Sequence, residues 1–235
     1  MHFQTTNTNA DIPIHYEIRI DGVPLQKKDY TKFLGVIIDK QLNWNQHIAN
    51  ISSQVSKGIG ILYRIKPLLP PKSLLMLYNT LILPYINYCN IIWGNCGKTN
   101  LDHILLLQKK AVRICTKSSY LAHTDPLFYQ LKVLKVQDIN ILQTAIFIFK
   151  YTKDVLPQVF KNLFLYNRNI HSYPTRTRNN IHLNNPKILL AHKSLRHHGP
   201  DVWNALPDCV KQIPFLKSFK RKIKENIVNR YNTTE

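Results

Sequence analysis

Residues 33–48 read FLGVIIDKQLNWNQHI, and the change of pattern inside them decides the fold. The first half is apolar (Phe33, Leu34, Val36, Ile37, Ile38) with Gly35 inside it, the signature of a short strand. A glycine in such a strand marks a bulge or a close backbone approach. Residues 39–41 then turn, Leu42 and Trp44 serve as anchors, and a helix starts near Asn45. The stretch is predicted to be a strand docked onto the first helix of a helical domain.

Toward the N-terminus, residues 1–11 are polar, Thr/Asn-rich and expected to fray. Ile14, Tyr16, Ile18 and Ile20 alternate with polar residues, which predicts a half-buried strand ending at the Asp21–Gly22 turn. Residues 23–32 cross back, and 33–38 are expected to pair antiparallel with that first strand. So few strands cannot stand alone. The piece reads as the edge of a sheet whose other strands are missing.

Beyond Trp44 the period is helical. Ile48, Ile51, Val55, Ile59 and Leu62 form one face of a helix ending at Lys66–Pro67, while Lys57 and Arg64 share another. Gly58 and Gly60 weaken it and permit a close approach. Pro70–Pro71 open a second helix over 72–83, Pro84 kinks or ends it, and 85–93 are expected to continue as a buried helix to Gly94. Asn100 is the expected cap of a third helix, 101–117. Its core stripe is Leu101, Ile104, Leu105, Ala111, Val112 and Cys115, with Lys109, Arg113 and Lys117 on another face and Lys110 beside them. Helices follow at 125–131 and 136–151, then a short helix or turn at 156–165. Residues 166–183 read as a polar loop or linker, and 197–209 as an aromatic-anchored turn. A terminal helix, 215–231, carries Phe219, Ile223 and Ile227 on one side and Lys217, Lys220, Arg221 and Lys224 on the other.

The predicted fold class is mostly α: a short antiparallel β-hairpin, a helical bundle and a C-terminal helical region. The expected divisions are 1–44, 45–131, 132–165, a linker at 166–195, and 196–235.

The formal net charge of the 235 residues is +19. Residues 1–44 are neutral, because Arg19, Lys27, Lys28, Lys32 and Lys40 are balanced by Asp11, Glu17, Asp21, Asp29 and Asp39. All the excess therefore follows Trp44, and it favours a polyanionic partner: nucleic acid first, an anionic membrane surface second. No apolar run is long enough to span a bilayer, and no basic-then-apolar start marks a secretory signal. Cys89, Cys96, Cys115 and Cys209 lack C-x-x-C spacing. An intracellular protein, nuclear or cytoplasmic and not secreted, is expected.

Ten positions, Phe33, Leu34, Gly35, Val36, Ile38, Asp39, Leu42, Trp44, His47 and Ile48, fit the pattern F-L-G-V-x-I-D-x-x-L-x-W-x-x-H-I. This resembles the block that follows the palm in reverse transcriptases of non-LTR, jockey-like retrotransposons, where it forms the primer-grip strand and the entry to the thumb. The resemblance implies a primer-grip-like role for Phe33, Leu34, Gly35 and Val36, and a thumb-like bundle over 45–131. A basic Q-[KR]-[KR]-x-x-R segment of the family matches Gln108–Arg113. Blocks at 172–176 (S-Y-x-T-R), 199–207 (G-P-x-x-W-N-x-L-P) and 218–220 (S-F-K) continue the likeness.

In that family the catalytic carboxylates lie upstream, one Asp in one block and a Tyr/Phe-x-Asp-Asp turn in another. This chain holds no Asp-Asp pair, and Asp21, Asp29 and Asp39 lie among turns without a partner carboxylate. Two-metal phosphoryl transfer needs carboxylates holding ions about 3.5–4 Å apart. The chain is therefore expected to be the C-terminal part of a larger polymerase, with no catalytic residue and no cofactor of its own. Mg²⁺ and dNTPs are implied for the parent.

Other chemistries fit less well. The cysteines and His197–His198 lack zinc-ligand spacing and read as small hydrophobes and exposed imidazoles. The Pro207–Asp208 pair of a restriction-like nuclease lacks its catalytic lysine, because Asn226 and Ile227 follow Glu225. Trp93 and Trp203 sit among apolar neighbours and read as core anchors rather than base-stacking platforms. The expected partners are RNA or an RNA–DNA hybrid, held through the backbone by Lys57, Arg64, Lys109, Lys110, Arg113 and Lys117, together with the parent's palm and fingers. No membrane partner is expected. A solvated helix face is the plain alternative for the basic stripe, and a relic without selected activity is the alternative for the chain.

Overall fold

A computed structural model of the chain describes residues 19–26, 28–170 and 175–232. Two small hairpins come first. β1 (Arg19–Ile20) pairs with β2 (Val23–Pro24), and β3 (Tyr30–Phe33) with β4 (Val36–Asp39), both antiparallel. Leu34 and Gly35 have φ of 45° and 82°, the geometry of a two-residue type I′ hairpin turn. Residues 33–38 are thus not one strand, and β4 pairs with β3 rather than with the first strand. A leucine where such turns favour Asn or Asp hides the reversal. Ile14, Tyr16 and Ile18, and the whole of 1–11, lie outside the described residues.

The helices follow as α1 (Asn45–Ile65), α2 (Pro71–Leu81), α3 (Leu83–Asn87), α4 (Asn90–Trp93), α5 (Lys98–Cys115), α6 (Asp125–Leu131), α7 (Val136–Thr152), α8 (Leu189–His192), α9 (Leu195–Asn204), α10 (Asp208–Lys211) and α11 (Leu216–Arg230). The molecule is mostly α with short hairpins, as the periodicity predicts. The stripes on α1, α5, α7 and α11 form one core that runs from Ile48 to Tyr231, with Trp93, Tyr78, Phe128 and Phe219 fully buried.

Three elements depart from expectation. Residues 85–93 are not one buried helix. The chain breaks between α3 and α4 at Cys89 (φ 49°), leaving Tyr85, Tyr88 and Ile92 exposed. Backbone groups freed by the break are taken by amides of α7. Ile91 N–H donates to Gln143 Oε1 at 3.1 Å, Gln143 Nε2 donates to Asn87 O at 2.8 Å, and Asn140 Nδ2 donates to Asn90 O at 3.0 Å. Second, the cap of α5 is Gly97, not Asn100. Asn100 sits in the first turn and donates to Asn43 O (3.2 Å) and Asn45 Oδ1 (2.8 Å). Third, 195–204 is helical through Gly199 and Pro200, where Gly-Pro reads as a turn. Gly199 lies so close to α7 that a Cβ there would stand 2.9 Å from Ile148 Cδ1.

The polar stretch 166–183 is tied at both ends by a bridge between Tyr166 and Ile181. Asn204 clamps the buried Ile181, accepting its N–H at 3.1 Å and donating to its carbonyl at 2.8 Å.

Candidate nucleic-acid interface

The junction of hairpin and helix is organised by Asp39. Its Oδ1 accepts the N–H groups of Gln41 and Asn43, each at 3.0 Å, and its Oδ2 accepts that of Trp44 at 2.7 Å. These bonds hold Leu42 (φ 54°) and Trp44 (φ 65°) in the left-handed region, so the chain turns from β4 directly into α1. His47, one turn into α1, is buried. Its Nδ1 accepts the Ile37 N–H at 3.4 Å, and its ring meets the Trp93 ring edge-on at 5.7 Å. Burial pushes its pKa below the ordinary value. Both polar residues of the opening motif therefore serve the local geometry.

The hairpin tip projects from this junction. Phe33 is 62% and Leu34 74% exposed, whereas Val36 faces inward at 4%. The Tyr88 hydroxyl donates to Leu34 O at 2.6 Å, and a Cβ on Gly35 would stand 3.3 Å from the Tyr88 ring. The close approach expected at Gly35 is thus made by a side chain from the α3–α4 break, which pins the tip.

Lys57 and Arg64 are exposed on α1, and Lys110 on α5. Lys109 and Arg113 are half-buried. Arg113 Nε donates to Ala122 O at 2.9 Å, holding the loop after α5. Lys117 lies beyond the end of α5 with φ 57°, so it leaves the helical stripe expected for it. α1 and α5 start together, through Asn100 and Asn45, and pack along their length.

The remaining motif residues are mostly structural. Gln108, fully buried, donates to Tyr78 Oη at 2.8 Å and Leu134 O at 2.7 Å and accepts the Val136 N–H at 3.0 Å. Trp203 and Phe219 of the later blocks are buried in the core, while residues 172–174 lie outside the described residues. Of Gly58 and Gly60, only Gly58 is approached closely: a Cβ there would meet Ile82 Cγ1 at 2.9 Å. Sequence reasoning missed the structural roles of the buried amides Gln108 and Asn140 and of the half-buried Gln143, which carry no periodic signal of their own.

Two acids of the hairpins, Asp39 and Asp29, are engaged in local contacts. Asp39 spends both oxygens on backbone N–H groups, and Asp29 pairs with Lys40 Nζ at 2.9 Å. Among the described residues no group of three or more His, Cys, Asp or Glu could hold a metal ion. Burial pushes the Cys96 thiol up to about 11 and that of Cys115 to about 12, so both stay protonated at neutral pH. Among the described residues no helix is long and apolar enough to cross a membrane.

This chain is similar to RNA-directed DNA polymerases of mobile elements. The probable RNA-directed DNA polymerase from transposon X-element of Drosophila melanogaster is 24% identical over 124 residues, 52% of this chain. The RNA-directed DNA polymerases from mobile element jockey of Drosophila melanogaster and Drosophila funebris are 25% identical over 127 residues and 26% over 136, or 52% and 57% of this chain. The matched segment spans only 14% of each relative's length. These similarities bear out the resemblance to jockey-like reverse transcriptases over about half the chain. No family model and no solved structure matches it.

Proposed function

We propose that this chain is the thumb-like part of a retrotransposon RNA-directed DNA polymerase, holding a template–primer by its backbone while the catalytic carboxylates reside elsewhere in the parent. The observation that carries this reading is the junction itself. An exposed hairpin tip, fixed by Asp39 and Tyr88, leads directly into two co-starting helices that bear Lys57, Arg64, Lys109 and Lys110. The resemblance to jockey-like polymerases supports reading that geometry as primer grip and thumb.

Lys57, Arg64 and Lys110 meet phosphates directly, and each phosphate neutralised on a duplex adds about 0.9 to the salt slope of binding. Lys109 and Arg113 act from partly covered positions, and Lys117 from the loop after α5. Ile20, Val23 and Tyr30 of the two hairpins are exposed as well, and this apolar surface is where the parent's palm docks. Such an apolar face left bare marks an interaction surface.

The test is a pair of assays on the purified chain with an RNA–DNA primer–template. Binding without sequence preference, and no primer extension in Mg²⁺ and dNTPs, is expected. Mg²⁺-dependent extension contradicts the assignment of catalysis to the rest of the parent. Binding that ignores neutralisation of Lys57, Arg64, Lys109 and Lys110 contradicts the thumb-like reading.

A further inference from the structure

The solvent side of α11 carries a charge that the hairpin, α1 and α5 do not account for. Lys217, Lys220, Arg221, Lys222, Lys224 and Arg230 are all exposed along its 15 residues, against a single acid, Glu225. Glu225 reaches Arg221 Nε at 3.8 Å. Among the described residues, Lys217, Lys220, Lys222 and Lys224 meet no carboxylate at ion-pair distance. Positions 217, 220, 221 and 224 recur at the three- and four-residue spacing of one helix face, so they form a strip about 10 Å long. Like charges so spaced weaken a helix, and a polyanion laid along them relieves the repulsion.

The opposite side is locked into the core. Phe219, Ile223, Ile227 and Val228 are buried, and the Phe219 ring lies 4.4 Å from Phe149 and 6.0 Å from Trp203. At the far end the Tyr231 hydroxyl donates to the Asp138 carboxylate and accepts the Lys135 N–H at 3.1 Å. These contacts set α11 antiparallel to α7. Lys153, whose ammonium lies 5.7 Å from the Phe149 ring centre, is exposed at the end of α7 that meets the start of α11.

We propose that α11 is a second surface for the phosphodiester backbone of nucleic acid, separate from α1 and α5. An anionic membrane is the weaker match, because an interfacial helix needs a free apolar face and that of α11 is already packed. The backbone of α11 is fixed by the core before binding, so only side chains remain to be ordered on association. Its ammonium and guanidinium groups read phosphates rather than base edges, which gives affinity without sequence preference. This inference does not rest on the thumb-like reading.

The test compares K217Q/K220Q/R221Q/K224Q with K57Q/R64Q/K109Q/K110Q in the full chain. Fluorescence anisotropy with an RNA–DNA hybrid is run across a salt series, and circular dichroism melts are run alongside. The α11 variant is expected to melt like the parent and bind at least about 10-fold more weakly, with a salt slope shallower by about 3.6, near 0.9 for each of the four cations removed. Unchanged affinity and slope overturn the proposal. So does a variant that keeps hybrid binding but loses binding to phosphatidylserine vesicles. Should the fourfold variant unfold, K220Q and K224Q singly carry the test, each expected to lower the slope by about 0.9. A loss confined to the α11 variant sustains this surface and defeats the one on α1 and α5.

Discussion

Asp39 joins sheet to helix with one carboxylate and three backbone donors. Asp39→Ala leaves those donors without their acceptor and frees two left-handed residues. The expected loss is about 2 kcal/mol, read as a lower urea midpoint with unchanged slope. Gln108 is the second critical side chain. Gln108→Leu keeps the volume but strands the Tyr78 hydroxyl, the Leu134 carbonyl and the Val136 N–H in a dry core. A loss of about 3 kcal/mol or more is expected in the same measurement. An Asp39→Ala protein as stable as the parent would remove the carboxylate from its place in the junction.

At the scale of elements, the hairpin tip depends on Gly35. Gly35→Ala must adopt φ near 82° and meet Tyr88 at 3.3 Å, which costs about 1–2 kcal/mol. Tyr88→Phe removes the bond to Leu34 and should speed hydrogen exchange around residues 33–36 while leaving α5 and α7 protected. The long helices were legible because α1, α5, α7 and α11 each repeat apolar residues at helical spacing. The elements that escaped are those where contacts made far along the chain overrule local pattern. The α3–α4 break exists because Asn140 and Gln143, some fifty residues later, take up its backbone groups. The helix through Gly199–Pro200 exists because α7 and Phe164 need a residue without a side chain there. Of the candidate interface, Lys57, Arg64 and Lys110 were readable as exposed cations. The displacement of Lys117 and the use of Arg113 to hold a loop were not, since both depend on where α5 stops.

The whole molecule is held by a core that α11 completes. Deleting residues 216–235 uncovers Phe149, Trp203 and Phe128, and cooperative thermal unfolding should be lost. Stability should also depend on pH. Burial lowers the pKa of His47 and of His198, so the unfolded chain binds more protons than the fold as pH drops through about 6.5. The stability tied to these neutral imidazoles is present above that value and lost on acidification. Asp138 acts in the opposite sense: burial raises its pKa, so the cost of its charge is relieved as pH falls. The melting midpoint of His47→Gln should accordingly fall less than the parent's between about pH 7.5 and 5.5. Identical pH profiles would contradict a buried neutral His47.

The most direct test of the proposed backbone binding by α1 and α5 is the salt dependence of affinity for an RNA–DNA primer–template. It is measured on the intact chain and on K57Q/R64Q/K109Q/K110Q. A steep decline of log affinity with log salt is expected for the parent, with a slope shallower by about 2–3 for the variant and equal melts for both. Equal slopes in two equally folded proteins would contradict it.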